Sequence, residues 1–180
     1  MVIVTLSLLV NCNKIGLFSD GQICFANASL VSYLVSQVKG FLKASPNATM
    51  ISVSQNDNLN SCADAEELAV VKAEESRGGP MFRAINTIAD AIKDEFPNVL
   101  IHTLACKKTR KPPHPCTILG WLYLSQQTHR ESRVAADDYT ETPPKVTKPR
   151  DSVVVQVASS GIGDPRIQAW GKICQQLFVW

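Results

Sequence analysis

Apolar residues recur at three- and four-residue spacing in three stretches of the chain, 27–46, 80–96 and 167–177. This spacing places the apolar side chains on one face, so each stretch is predicted to form an amphipathic helix. Residues 63–75 also have a helical composition but are only weakly amphipathic, and the Gly-Gly-Pro sequence at 78–80 ends them. The pattern therefore predicts four helices.

Short apolar runs alternate with these helices. They cover residues 49–55, 98–105 and 152–158, and a further run begins at 177. A helix of about 15 residues between two apolar strands is the form of a βαβ crossover, which joins parallel strands. Because helix and strand alternate through most of the chain, we predict an α/β fold.

Residues 107–150 interrupt this alternation. Six prolines lie in this segment, including Pro-Pro pairs at 112–113 and 143–144. A connection of this length without regular structure is unusual inside a compact domain. The repeated Pro-Pro pair indicates sequence inserted between the two halves of one loop. The alternative is a long surface excursion with a short helix near 120–127.

The composition restricts the class of partner. The 180 residues carry 18 Lys+Arg and 16 Asp+Glu, a net charge of +2, so electrostatics give no reason to expect nucleic acid or an anionic membrane as the main partner. No run approaches 18 consecutive apolar residues, so no membrane span is predicted. The length suits one domain or part of a larger barrel, which takes about 250 residues.

The cysteines give little sign of a metal site or of disulfides. The six cysteines are dispersed, without a C-x-x-C pair or a finger-like histidine spacing, so no metal is predicted and buried thiols are favoured over a disulfide framework.

Residues 2–10 have the length of the apolar core of a signal peptide, but no basic residue precedes them and no A-x-A site follows. Glycosylation sequons begin at Asn27 and Asn47. Secretion therefore stays an open possibility.

The strongest candidate chemistry follows the predicted strand 49–55. The polar cluster Gln55-Asn-Asp-Asn58 lies where functional side chains of parallel α/β proteins are found, after the carboxyl end of a strand. Amides and a carboxylate can form paired hydrogen bonds to the vicinal hydroxyls of a sugar, and Asp57 is the candidate acid, base or substrate clamp. The alternative is a turn whose side chains bond their own backbone. No nucleotide-binding loop or G-x-S-x-G elbow occurs, so no cofactor is predicted.

The segments ISVSQNDN (51–58), FRAINTIADAIKDEFPNVLIHTLA (82–105), TRKPP (109–113), PPKVTKPRDSVVVQV (143–157) and AWGKICQQLFVW (169–180) follow one another along the chain. Together they resemble the DUF4838 domain proteins, a family described as related to glycoside hydrolases of the α-glucuronidase kind. The resemblance covers residues 21–113 and 142–180, so we expect a DUF4838-like fragment over 21–180. Residues 1–20 have no counterpart, and 114–141 form an insertion or a loop. The family implies a partial (β/α)8 TIM-like barrel, about half a barrel with four parallel strands.

The resemblance implies carboxylate acid/base chemistry on a polysaccharide or a uronic-acid-containing glycan. Asp57 would be catalytic, and Gln55, Asn56, Asn58 and Trp180 would bind the substrate. Similar sequences carry Ser-Ile-Glu after the third strand, where this chain has Ser-Ser-Gly at 159–161. Since a second carboxylate is normally required, a non-catalytic carbohydrate-binding or pseudo-enzyme module is the alternative.

Three further residues are expected to have mainly structural roles. His102 stands mid-strand where an Asp is common in the family, and it reads either as an interior residue with satisfied hydrogen bonds or as a site residue. Trp170 lies on the apolar face of its predicted helix and is expected in the core. Asp164 stands at the start of that helix, where N-capping is the expected role.

Overall fold

The computed structural model describes residues 3–5, 18–19, 22–56, 61–105, 142–158 and 163–179. Among these residues no helix is both long enough and apolar enough to cross a membrane. The elements, in chain order, are β1 Ile3–Thr5, β2 Phe18–Ser19, β3 Gln22–Ile23, α1 Ala28–Ala44, β4 Met50–Ser52, α2 Ala65–Glu74, α3 Gly79–Ile92, β5 Leu100–Ala105, β6 Val153–Val157, α4 Pro165–Gly171 and β7 Gln176–Val179.

The main sheet has the order β1-β4-β5-β6-β7, and every neighbouring pair is parallel. β2 and β3 form a separate antiparallel pair. Chain order and spatial order agree in the main sheet, as in a (β/α)8 barrel, so the α/β prediction is confirmed and the sheet is consistent with part of such a barrel. Four strands were expected. The fifth is β1, which lies within the apolar stretch 2–10.

Helices α1 and α3 cover one face of this sheet. Leu34 and Val38 of α1 and Ile85 of α3 are completely buried, in one cluster with Ile101 and Val155 from the strands. Burial alternates along β5, where Ile101, Thr103 and Ala105 point into this layer. The amphipathic patterns of 27–46 and 80–96 therefore identified the two helices that build the core.

The strand residues that alternate with these buried ones point to the opposite face of the sheet. Ser52, Leu100, His102, Leu104 and Gln156 are half-buried and lie outside the cluster under α1 and α3. We call these five positions the inner face, because in a closed β/α barrel the face away from the helices lines the interior. Polar residues are thus present where a fully packed sheet would have only apolar ones.

The last predicted helix is shorter than expected. α4 ends at Gly171, so the prediction of a helix over 167–177 is wrong in its second half, and Leu177 belongs to β7. Ile173, Cys174 and Leu177 still pack against the core, from a turn and a strand, which explains the misleading spacing. Trp170 is completely buried, with its ring centroid 5.2 Å from that of Phe82, so its core assignment is confirmed.

Asp164 caps α4 as predicted. Its carboxylate accepts a hydrogen bond of 2.9 Å from the backbone N–H of Arg166. The Arg166 guanidinium also pairs with this carboxylate, so the cap is charge-assisted. The cap fixes where the chain turns from β6 into α4.

The weak amphipathicity of α2 has a specific cause, which is that its buried side chains are Glu67 and Glu74. Glu74 is completely buried at the helix end. Its Oε1 accepts hydrogen bonds from Arg83 Nε at 2.7 Å and from Thr147 Oγ1 at 2.6 Å. Its Oε2 accepts from the backbone N–H groups of Val146 and Thr147, both at 2.9 Å. These residues form the Glu74 cluster, which joins α2, α3 and the segment before β6.

Asn86 extends this attachment along α3. Its Nδ2 donates to the carbonyl of Lys148 at 2.8 Å, and its Oδ1 accepts from the N–H of Arg150 at 3.1 Å. The amide therefore replaces a strand neighbour for this stretch of backbone. Together with the Glu74 cluster it sets the position at which the chain enters β6.

The environment of Glu74 favours the charged carboxylate. Desolvation on burial acts to raise its pKa, but the hydrogen bonds from Thr147, Val146 and Arg83 outweigh it and lower the pKa from 4.5 to about 2. The packing is equally specific, because a Cβ added at Gly79 would stand 2.5 Å from Glu74 Cβ and Cγ. Glycine is therefore required at the start of α3.

Replacing Glu74 by Gln is expected to lower the free energy of unfolding by about 3 kcal/mol, because it leaves Arg83 and buried N–H groups without their anionic acceptor. Glu75→Gln is the matched control. The Glu75 side chain is 63% exposed in its ion pair with Lys145, so its loss should cost less than about 1 kcal/mol. Urea denaturation of both variants measures the difference, and equal costs would contradict the assigned role.

The lowered pKa also predicts acid sensitivity. The stabilisation from ionised Glu74 is fully present above pH 4.5 and is lost as pH falls toward about 2. Glu74→Gln should therefore show a flatter decline of stability over this range than the wild-type chain. Thermal melts from pH 6 to pH 2 test this, and parallel curves would disprove it.

Candidate functional site

The chain after β4 is held at the carboxyl edge of the sheet by a side-chain amide. Gln22 Nε2 donates to the backbone carbonyl of Asn56 at 3.1 Å, and the N–H of Asn56 donates to Gln22 Oε1 at 2.9 Å. Gln22 is 1% exposed. Its amide therefore pairs with the backbone as a neighbouring strand would. The segment that contains the predicted polar cluster is fixed in position at its start.

Ser54 anchors the same segment from the other side. Its Oγ accepts a hydrogen bond of 2.9 Å from the backbone N–H of Leu104, beyond the last ladder pair of β4 and β5. The hydroxyl also lies 3.4 Å from Thr103 Oγ1. Gln55 and Asn56 thus follow a residue that is hydrogen-bonded across to β5, and this bond holds their backbone in place.

Gln55 carries an unsatisfied acceptor. Its Oε1 is buried, and within the described ranges it has no hydrogen-bond partner. A buried carbonyl without a donor costs about 1–3 kcal/mol, so such atoms are rare without a reason. A ligand hydroxyl or a water at this edge would satisfy it.

A disulfide holds the far side of this edge. Cys24 and Cys62 are bonded, with their Cα atoms 5.2 Å apart and a sequence separation of 38. The prediction of buried thiols is therefore wrong for this pair. Dispersed cysteines 38 residues apart carry no pairing signal, since pairing depends on the fold that brings them together. The disulfide and the Gln22–Asn56 pair flank the segment that contains Asp57 and Asn58.

The carboxylate of Asp64 lies near this disulfide, within 4.8 Å of both sulfur atoms. Three such groups could hold a soft metal ion only if the sulfurs were thiolates. In the disulfide they are oxidised, so this arrangement is a covalent crosslink beside an exposed carboxylate.

Glu67 connects α2 to the turn before α1. It is 5% exposed, and its Oε2 accepts a hydrogen bond of 2.6 Å from the N–H of Ala26. Desolvation by burial raises its pKa from 4.5 to about 7; hydrogen bonds from Ala26 and Phe25 oppose this, and nearby Asp64 adds to it. Sequence reasoning missed this residue, because a Glu on a weakly amphipathic helix is normally solvent-exposed.

His102 on β5 uses both ring nitrogens. Nδ1 lies 3.0 Å from Ser52 Oγ on β4, and Nε2 lies 2.8 Å from Gln156 Oε1 on β6. The expectation of satisfied hydrogen bonds is confirmed. The residues that satisfy them were missed in the sequence, because Ser52 and Gln156 look like ordinary polar positions of alternating strands.

The predicted site residues are thus only partly placed. Gln55 and Asn56 lie at the carboxyl edge of β4, next to Gln22. Asp57, Asn58 and Trp180 lie outside the described residues, as do 159–162, where the family carries its Ser-Ile-Glu. Their roles stay predictions.

Comparison with known families gives one match of direct relevance. The model of a family described as Domain of unknown function (DUF4838) matches residues 13–118, which is more than half of the 180-residue chain. The match contains β4, α2, α3 and β5, and with them the Gln22–Asn56 pair. No curated protein matches the sequence.

Breaking the disulfide should destabilise the fold. A crosslink that closes a loop of this length contributes about 2–4 kcal/mol, mainly by restricting the unfolded chain. A Cys24→Ser/Cys62→Ser double variant should therefore melt at a lower temperature than the wild type. Cys174→Ser, which removes an unpaired cysteine, is the matched control. Unchanged melting of the double variant would show that the pair is not crosslinked in solution.

The raised pKa of Glu67 predicts the opposite pH trend to Glu74. A protonated Glu67 stabilises the fold, and this contribution is lost as pH rises from 4.5 through about 7. The loss amounts to about 3 kcal/mol at most, since each pKa unit corresponds to about 1.4 kcal/mol. Glu67→Gln should remove the decline between pH 5 and pH 8. A decline that survives in this variant would assign it to another group.

Proposed function

Because this chain belongs to the DUF4838 family, we propose that it is a glycoside-hydrolase-like protein that binds a polysaccharide or a uronic-acid-containing glycan. The observation that carries the proposal is the buried, unpartnered acceptor of Gln55 at the carboxyl edge of a parallel sheet. In β/α barrels this edge forms the active site. The family itself is of unknown function, so the proposal rests on this chain's own chemistry and on the resemblance described above.

The polar groups at the edge suit a sugar better than an apolar ligand. Gln55 offers a buried acceptor, and burial strengthens a hydrogen bond to a ligand hydroxyl. The Gln22–Asn56 pair and the Ser54 bond hold the backbone on both sides of it. A preorganised acceptor costs little ordering entropy when the ligand binds.

Hydrolysis would depend on Asp57, the carboxylate adjoining this edge in sequence. A glycosidase uses two carboxyl groups, about 5–5.5 Å apart for retention or about 6.5–9.5 Å apart for inversion. Glu67 has a pKa suited to a proton donor near neutral pH. Its carboxylate is bonded to the N–H of Ala26, however, and we assign it to holding α2 in place.

A non-catalytic carbohydrate-binding module is the second candidate. The observation that favours it is the chemistry of the described side chains after β4, which are a hydroxyl and two amides at 54–56. Ser-Ser-Gly at 159–161, in place of the family's Ser-Ile-Glu, points the same way. Such a module would keep the Gln55 contact and lose turnover.

The disulfide bears on where this function would be performed. Crosslinks such as Cys24–Cys62 persist in oxidising compartments and are rare in the cytosol. Asn47 of the second glycosylation sequon is exposed in the turn between α1 and β4. Both features support secretion, where polysaccharide substrates are encountered.

A xylo-oligosaccharide branched with glucuronic acid is the probe for this proposal. The wild-type chain is expected to bind it saturably in calorimetric titration, and Gln55→Met should weaken binding about tenfold because the buried acceptor is lost. Asp57→Asn should abolish any sugar release while binding persists. Asp64→Asn, which removes an exposed carboxylate nearby, is the matched control.

The outcomes separate the two candidates. Release of sugar that Asp57→Asn abolishes supports the hydrolase, whereas saturable binding without release supports the binding module. A flat titration of the wild-type chain would overturn both, and turnover unaffected by Asp57→Asn would exclude that residue from catalysis.

A further inference from the structure

The inner face of the sheet carries a directed line of hydrogen bonds across three strands. Ser52, His102 and Gln156 lie on β4, β5 and β6, joined by contacts of 3.0 and 2.8 Å. Ser52 and His102 are direct neighbours in the parallel register, and Gln156 stands two residues beyond the position opposite His102. The line therefore crosses the sheet diagonally and advances toward its carboxyl edge.

The chemistry of the three groups gives the line a direction. The Gln156 carbonyl oxygen is an acceptor, so His102 donates to it from Nε2. In the tautomer with its proton on Nε2, Nδ1 is the acceptor, and the Ser52 hydroxyl donates there. Each residue thereby orients the next. The last group in the line is the Gln156 amide nitrogen, whose donors no residue in the described ranges accepts.

An exposed aromatic ring adjoins this amide. Phe178 on β7 is the register partner of Gln156, so the two side chains lie on the same face, with their strands about 4.8 Å apart. Phe178 is 58% exposed and Val179 on the opposite face is 44% exposed, because β7 is the end strand of the described sheet. An oriented donor beside an exposed ring matches a sugar, which offers hydroxyls at its rim and an apolar C–H face.

We propose that Gln156 and Phe178 form a sugar-binding subsite on the inner face, in which the Gln156 amide donates to a ring hydroxyl and Phe178 packs against the sugar C–H face. Ser52 and His102 are positioning residues that hold the amide in its donor orientation. This subsite rests on the proposed function and extends it, because it places a second sugar contact away from Gln55.

The test uses the same glucuronic-acid-branched xylo-oligosaccharide with the full chain. Gln156→Glu keeps the acceptor for His102 and removes the amide donor, and it is expected to weaken binding about tenfold. Gln176→Glu is the matched control. It makes the same charge change on β7, at a residue whose Nε2 already donates to the Asp151 carbonyl at 2.6 Å. It should change the affinity less than about twofold.

Phe178→Ala tests the ring. This variant is expected to bind about tenfold more weakly, and to lose the NMR saturation transfer from the protein to the sugar C–H protons. Phe178→Tyr should keep both. For the positioning residues, Ser52→Ala should weaken binding about threefold and Ser52→Thr should restore it, since only the hydroxyl is needed. Thermal melting of every variant confirms that the fold persists.

The results separate this subsite from the proposed function. Binding that Gln156→Glu and Phe178→Ala weaken, while Gln176→Glu leaves it unchanged, supports the subsite. Binding that depends on Gln55 but is unchanged by Gln156→Glu and Phe178→Ala keeps the proposed function and overturns the subsite. No binding to the wild-type chain overturns both.

Discussion

The fold depends on a buried carboxylate, Glu74, which holds the backbone before β6 in place because no short loop joins β6 to its neighbour β5. β5 and β6 are neighbours in the sheet but are separated by a long proline-rich stretch, so the chain needs a fixed path back into β6. Glu74 supplies the first part of it by accepting two backbone N–H groups at 146 and 147, and Asn86 supplies the second. A buried anion is tolerated there because each oxygen accepts two hydrogen bonds and Arg83 provides the counter-charge. The length of the connection can therefore vary without moving β6.

The same principle appears at the carboxyl edge, where polar side chains again serve as backbone partners. Gln22 pairs with Asn56 as a strand would, Glu67 accepts from Ala26, and the Cys24–Cys62 bond closes the far side. These contacts join the segment before α1 to the chain that follows β4. The conformational entropy lost in ordering this edge is offset by contacts within the protein itself.

The sequence predicts the layers of this protein much better than its polar contacts. Periodicity located α1 and α3, because burial of an apolar face repeats with the period of a helix, and short apolar runs located β5 and β6. It overextended the last helix, since Ile173 and Leu177 reach the core from a turn and a strand. The roles of Gln22, Glu74 and Gln156 were not predictable, because each depends on a partner at least 34 residues away that only the fold brings near. The disulfide was missed for the same reason. The Gln55-Asn-Asp-Asn58 cluster could be proposed from the sequence because a polar run after a strand is recognised without a distant partner, and its role stays a prediction.

The two faces of the main sheet differ in the polar residues that they carry. The face under α1 and α3 is apolar except for groups such as Thr103, which donates to Met81 Sδ at 3.8 Å. The inner face instead carries Ser52, His102 and Gln156 on three adjacent strands. Their hydrogen bonds contribute less stability than apolar side chains would in a packed layer. Their orientation, each donating to the next and ending beside the exposed Phe178, is the arrangement on which the proposed sugar subsite is based.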